Sequence, residues 1–239
     1  MAKTDDEWKV GEHAAIEQLA ENLWRVEAGL PRMSLRRVMT IAKRKDGALV
    51  LHSVIALDDA TMKQLESLGP LTYMIVPNGY HRLDAPRYKK RYPQLKVFAP
   101  PGSRKRVEQV VAVDGTLDEL PPDDDVRFET IDGIGDLERA MIVRSSDGTS
   151  IVVTDAVFDM DVRKDFMGRL ICGILGSQGG PRVSRIFRWF VVKDKKAMRA
   201  QLERWASLPD LQRLIVAHEK VSRGADAASA LKIAATFLG

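Results

Sequence analysis

Apolar and polar residues alternate over Leu23-Trp24-Arg25-Val26-Glu27-Ala28, the period-two pattern of a strand with one face buried. Val38 to Ala42 and Ala48 to Leu57 continue the β pattern, with Lys45-Asp46-Gly47 as the turn between them. From Asp58 the period lengthens. Met62, Leu65 and Leu68 fall on one helical face, Asp58 or Asp59 can N-cap it, and Gly69-Pro70 stops it. Leu71 to Val76 predicts another strand, Asp84 with Pro86 opens a second helix that Pro93 ends, and Lys96 to Ala99 is the next strand, closed by Pro100-Pro101-Gly102. Residues 48 to 99 therefore run strand, helix, strand, helix, strand, and strands so connected lie parallel when they neighbour one another in a sheet.

The second half begins β again. After a loop from Asp114 to Asp125, the segments Val126 to Ile131, Ala140 to Arg144 and Ser150 to Thr154 predict strands, the last two turned at Asp147-Gly148. Asp161 to Pro181 has no clean period and reads as a loop or helical insert. Beyond it, Met198, Leu202 and Trp205 line a helix ending near Pro209, Leu214 to Ala217 is a buried strand, and Asp226 is placed to cap a final helix through Leu231 and Ala235. Two halves of this kind predict an α/β fold in which two sheets face each other with helices outside. This is an αββα sandwich forming one domain over residues 1–239, although a doubly wound sheet has the same periodicity.

Composition narrows the function classes. Of 239 residues 45% are hydrophobic, enough to build a core and to exclude a disordered chain. The net charge of +4 is too small to imply nucleic-acid binding by itself. The tyrosine-interleaved basic runs Arg87 to Tyr92 and Arg104 to Arg106 read more simply as solvated helix faces, which makes a nucleic-acid partner unlikely. The single cysteine, Cys172, excludes an intrachain disulfide and packs as a small hydrophobe. The first residues lack an apolar signal-like run, and the longest apolar stretch, 48 to 57, is about half a membrane span. A cytoplasmic protein without a membrane span is expected, and a homo-oligomer is left open.

Three polar residues occupy the same kind of place. His81 follows the strand ending at Val76, Asp155 follows Ile151 to Thr154, and His218 follows Leu214 to Ala217. Strand ends are where α/β proteins build sites, and two histidines with one carboxylate suit zinc or iron with positions left for water. Taken singly, each reads more simply as an isolated polar loop residue.

The order of these elements resembles the metallo-β-lactamase fold. Within that superfamily the chain is most similar to a branch with degenerate metal-binding motifs, on the strength of Leu49-Val50-Leu51-His52-Ser53, Val76-Pro77-Asn78-Gly79-Tyr80-His81, Tyr92-Pro93 and Pro100-Pro101-Gly102. The resemblance implies that Asn78, Tyr80 and His81 fall where active members carry a His-x-His-x-Asp-His motif, that Asp155 stands at the bridging carboxylate and that His218 is the last histidine ligand. It brings His52 near the cleft and leaves Asp84 and Asp159 as spare oxygen donors. Departures are as informative: the chain has four histidines in all, and Ile131-Asp132-Gly133-Ile134-Gly135-Asp136 has none where a Gly-His pair is expected. At most one ion, zinc or iron, is therefore expected, held by His81, Asp155 and His218, with no catalytic residue assigned. The implied activity is metal-dependent hydrolysis of a small molecule. The competing reading is a metal-free pseudo-enzyme that binds a ligand or serves as a scaffold. Arg182, Arg185 and Arg188, spaced by three beside Trp189 and Phe190, would suit an anionic ligand if they capped the cleft. The plainer reading is a helix packing Ile186, Phe187 and Phe190 into the core.

Overall fold

A computed structural model describes residues 6–31, 35–162 and 166–239. The first half contributes strands β1 (Glu17–Ala20), β2 (Leu23–Gly29), β3 (Arg36–Lys43) and β4 (Leu49–His52), then helix α1 (Asp59–Leu68), β5 (Leu71–Ile75), α2 (Ala85–Arg91), β6 (Lys96–Ala99), α3 (Arg104–Val107) and β7 (Gly115–Thr116). These seven strands form one sheet in sequence order, antiparallel up to β4 and parallel from β4 to β7. The second half adds β8 (Val126–Thr130), β9 (Arg139–Ser145), β10 (Gly148–Val153), β11 (Phe158–Met160), α4 (Phe166–Leu175), β12 (Gly180–Arg182), α5 (Lys195–Ala206), β13 (Leu211–Val216), β14 (Val221–Arg223) and α6 (Ala225–Thr236). Its five-stranded sheet has the order β14-β13-β10-β9-β8, and β11 pairs with β12 as a separate ribbon.

Strand periodicity explains the layering. On β9, Met141 and Val143 face inward against Val50, Ile75 and Phe98 of the first sheet, whereas Ile142 faces the opposite way, toward Leu202 and Trp205 of α5. Met62 of α1 and Tyr88 of α2 cover the outer face of the first sheet. Three apolar layers between four layers of structure give the expected αββα sandwich.

The structure corrects the sequence reading at several points. The apolar run 48–57 is a strand only to His52, because Ser53 turns into the left-handed region at φ 60° and takes the chain off the ladder. Asp161 to Pro181 holds a full helix, α4, and the edge strand β12. Gly224, not Asp226, is the N-cap of α6, and Asp226 lies in its first turn. The segment around Arg182 to Phe190 is no amphipathic helix: Arg182 ends β12 and Phe187–Val191 form a π-helical turn. Of the apolar residues expected in the core, only Phe187 is buried, while Ile186 is 39% and Phe190 80% exposed.

Candidate functional site

The three strand-end residues converge. The carboxylate of Asp155, just beyond β10, has its Oδ1 3.3 Å from Nε2 of His81 and 3.7 Å from Nε2 of His218, and a ligand atom of each residue lies within 4.8 Å of the others. Both imidazoles present the same nitrogen to this point because the other is occupied. Nδ1 of His218 sits 2.8 Å from the carbonyl of Arg36, and Nδ1 of His81 sits 3.3 Å from Oγ of Ser53, whose left-handed backbone aims the hydroxyl at the ring. Phe158 stacks flat on the His218 ring at 5.4 Å.

Behind Asp155 lies a second carboxylate that the sequence did not single out. Glu138 is 1% exposed and accepts hydrogen bonds from the backbone N–H groups of Thr154 and Asp155, at 2.6 and 2.9 Å. It thereby fixes the turn that carries Asp155. Burial, and then the charge of Asp155, push the Glu138 carboxyl up to about 7 against the pull of those amides. Burial acts on Asp155 in the same direction, but His81 and His218 outweigh it and hold its carboxyl well below the usual range. In return Asp155 raises His218, although burial alone would lower it.

Asn78 is fully committed. Its Nδ2 donates to Asp155 Oδ2 at 2.8 Å and to Glu138 at 3.4 Å, while its Oδ1 accepts the N–H groups of Tyr80 and His81. The amide thus positions Asp155 and His81 and leaves no oxygen lone pair directed at the site. Tyr80 lines the cavity mouth, 71% exposed, with the Arg106 guanidinium 4.0 Å above its ring. Gly79 permits this, since a β-carbon there would run into the Arg106 side chain.

The other candidates are placed elsewhere. Asp84 is completely buried between Arg37 and Arg87, each 2.5 Å away, and also accepts the Ala56 N–H. Asp159 faces Lys220 at 3.5 Å and Ser222, behind the His218 loop. His52 is buried on β4, where burial and then His81 push its pKa down to about 3, so it is a neutral ring. His13 contacts Asp58 at the start of α1. Arg182 and Arg188 bond to backbone carbonyls of Gly179 and Phe237, and Arg185 lies over Trp189, so none of the three lines the cleft. In the first basic run Arg87 is buried on Asp84, and Lys90 and Arg91 pair with Asp6 and Asp59.

His81, Asp155 and His218 form the polar floor of a cavity of about 700 Å3. Around this geometry the backbone superposes on solved metallo-β-lactamases. An Erythrobacter litoralis metallo-β-lactamase matches over 92% of this chain and 95% of its own, with a TM-score of 0.62 at 13% identity. The DIM-1 metallo-β-lactamase exposed to ceftazidime matches over 97% and 100%, with a TM-score of 0.59 at 12% identity. The chain has the metallo-β-lactamase fold. A third match is the FIM-1 enzyme of Pseudomonas aeruginosa in its mono-zinc form, with a TM-score of 0.59 at 11% identity over 96% of this chain and 98% of that one. No family model and no curated protein sequence matches. No helix among the described residues is long and apolar enough to cross a membrane.

The donor set fits a single ion on its own chemistry. Ligand atoms about 2.0–2.1 Å from a tetrahedral zinc stand roughly 3.3 Å apart, close to the separations around Asp155 Oδ1. A ligating histidine almost always hydrogen-bonds through its other nitrogen, and here Nδ1 of His218 faces the Arg36 carbonyl and Nδ1 of His81 the Ser53 hydroxyl.

Proposed function

We propose that the protein is a metal-dependent hydrolase of small molecules, built on one ion held by His81, Asp155 and His218. The observation that carries this reading is the common aim of two Nε2 atoms at one carboxylate oxygen, with both Nδ1 atoms fixed by groups outside the site. A bound zinc or iron would supply a water ionising near pH 7, about nine units below bulk water. The protein's own residues set the rest. His81 and His218 hold Asp155 ionised, Asn78 and the Glu138-bound turn orient it, and the Ser53 contact at Nδ1 of His81 leaves its Nε2 facing Asp155. The FIM-1 relative in mono-zinc form supports the idea that this fold accommodates one ion.

A second reading has its own support. Asp155 already has two histidines within reach, which would make a metal-free polar floor for a binding protein. Elemental analysis of untagged protein purified without chelator, beside Asp155→Ala and His218→Ala, separates the two. Near-stoichiometric zinc or iron that disappears in both variants is expected and would lead to screens of esters, thioesters and phosphodiesters. No bound metal after incubation with excess zinc would overturn the hydrolase reading in favour of the metal-free one.

A further inference from the structure

The floor of the cavity is polar, but its walls are mostly apolar. Above the histidines stand Val54, Leu137, Met160, Leu175, Phe187 and Val191, a lining suited to an apolar body rather than a charged one. Two arginines reach the cavity, and both are engaged, Arg37 by the buried Asp84 and Arg106 by the Tyr80 ring. The three arginines of the 182–188 segment point away from it.

The surface around the opening is unusual in the same sense. Ten large hydrophobic side chains are well exposed among the described residues, and all but Val10 and Ile233 belong to the 80–83 loop or to residues 162–190. Tyr80, Leu83, Ile186 and Phe190 line the mouth itself. Helix α4 has apolar residues on two faces: Cys172 and Leu175 face the cavity, while Leu170 and Ile174, one turn apart, are 47% and 61% exposed. A soluble surface normally scatters such residues singly, and concentration at a cavity mouth marks an interaction site.

We propose that the cavity binds a medium or long acyl chain, with its carbonyl group at the His81–Asp155–His218 floor and its hydrocarbon tail between α4 and the π-helical turn. The chain comes either from a free acyl compound or from a lipid surface against which Trp189, Phe190 and the outer face of α4 would lie. The placing of the carbonyl rests on the hydrolase reading above; the binding of the tail does not. The 700 Å3 volume lies within the range of small-molecule pockets that bury most of their ligand.

The test is calorimetric titration of zinc-equilibrated protein with methyl ketones from butan-2-one to nonan-2-one, which are neutral carbonyl compounds that a hydrolase cannot consume. Each added methylene should tighten binding roughly two- to fourfold, on the order of a hundredfold across the series. Leu175→Trp, which fills the tail region from a half-exposed position, should remove most of that gain while changing the Kd for butan-2-one less than about threefold. Phe190→Ser, at an 80% exposed side chain, should leave the fold intact and weaken only the longest ketones. Affinity independent of chain length, or a full series retained in Leu175→Trp, would overturn the proposal. Asp155→Ala separates the two readings: a chain-length series that survives there, with or without metal in the wild type, upholds tail binding alone. Co-sedimentation of wild type, but not Phe190→Ser, with phosphatidylcholine vesicles would assign the lipid source, and ketone binding without co-sedimentation would assign a free acyl compound.

Discussion

Asp84 is where two accounts of this molecule part most clearly. By sequence position it is an oxygen donor near the metal; by structure it is a buried anion clamped between two guanidinium groups. Asp84→Asn removes the charge, keeps the shape and retains an oxygen for the Ala56 N–H. It leaves Arg37 and Arg87, whose side chains are 12% and 7% exposed, facing a neutral partner. Breaking one side of a buried ion pair costs about 3–5 kcal/mol because the remaining charge stays desolvated. The retained amide oxygen argues for the lower end, about 3 kcal/mol. For a chain of this size that is a fall in Tm of roughly 6–12 °C. Urea denaturation with an unchanged m-value, alongside thermal melting, measures it. Zinc stoichiometry in the same variant should equal that of the wild type. A variant as stable as wild type, or one that keeps its stability and loses its metal, would refute the structural role.

Three further outcomes are expected, two at the site and one in the fold. Asn78→Ala should lower zinc affinity by about 10- to 100-fold, since Asp155 loses its oriented donor; competition with a chelating dye reads this, and unchanged affinity would remove Asn78 from the site. Metal-free stability should fall as pH rises above about 6.5; below that, His52, held neutral in the fold but protonated once unfolded, contributes in the opposite sense. His218, raised by Asp155, contributes fully below its ordinary 6.5 and loses that contribution as pH passes its folded value, and Glu138, held up to about 7, retains a proton that the unfolded carboxyl releases near 4.5. Zinc competes with these protons, so its stabilisation should grow over the same interval; melting curves from about pH 6.5 to 8 with and without zinc check both signs, and a metal-free curve rising with pH across that window would contradict the assignment. Gly133→Ala should destabilise by more than the roughly 1 kcal/mol of an ordinary surface change, because Gly133 has φ 81° and a β-carbon would strike the Asp194 carbonyl at the start of α5.

Short-range periodicity carried the sandwich: the β pattern at Leu23 to Ala28, the cap at Asp58 and the helix of Met198, Leu202 and Trp205 all recur in the structure. The strand-end positions of His81, Asp155 and His218 were legible for the same reason. What escaped was set by distant contacts. Nothing near Asp84 announces Arg37 on β3, and Leu137-Glu138-Arg139 reads simply as the approach to a strand, although Glu138 organises the Asp155 turn. On an unbroken strand Ser53 would face away from its neighbour His52. Its positive φ takes it off the strand and onto His81, a different histidine. Spacing by three at Arg182, Arg185 and Arg188 suggested a helix, but the π-helical turn and the β11–β12 pairing break that period and leave Phe190 outside.

The two halves of the chain meet at the site rather than each possessing one. His81 and Asn78 come from the first sheet, Asp155 and His218 from the second, and the seam is sewn by Val38 N–H on the Ala217 carbonyl and by His218 on Arg36. The connection between the halves runs through the loop between β7 and β8, past Pro121 and Pro122. A chain nicked there would yield two fragments, each with part of the ligand set and neither with all of it. If the site holds an ion, its capture would then signal that two separate polypeptides had found one another, making the floor of the cavity a reporter of assembly.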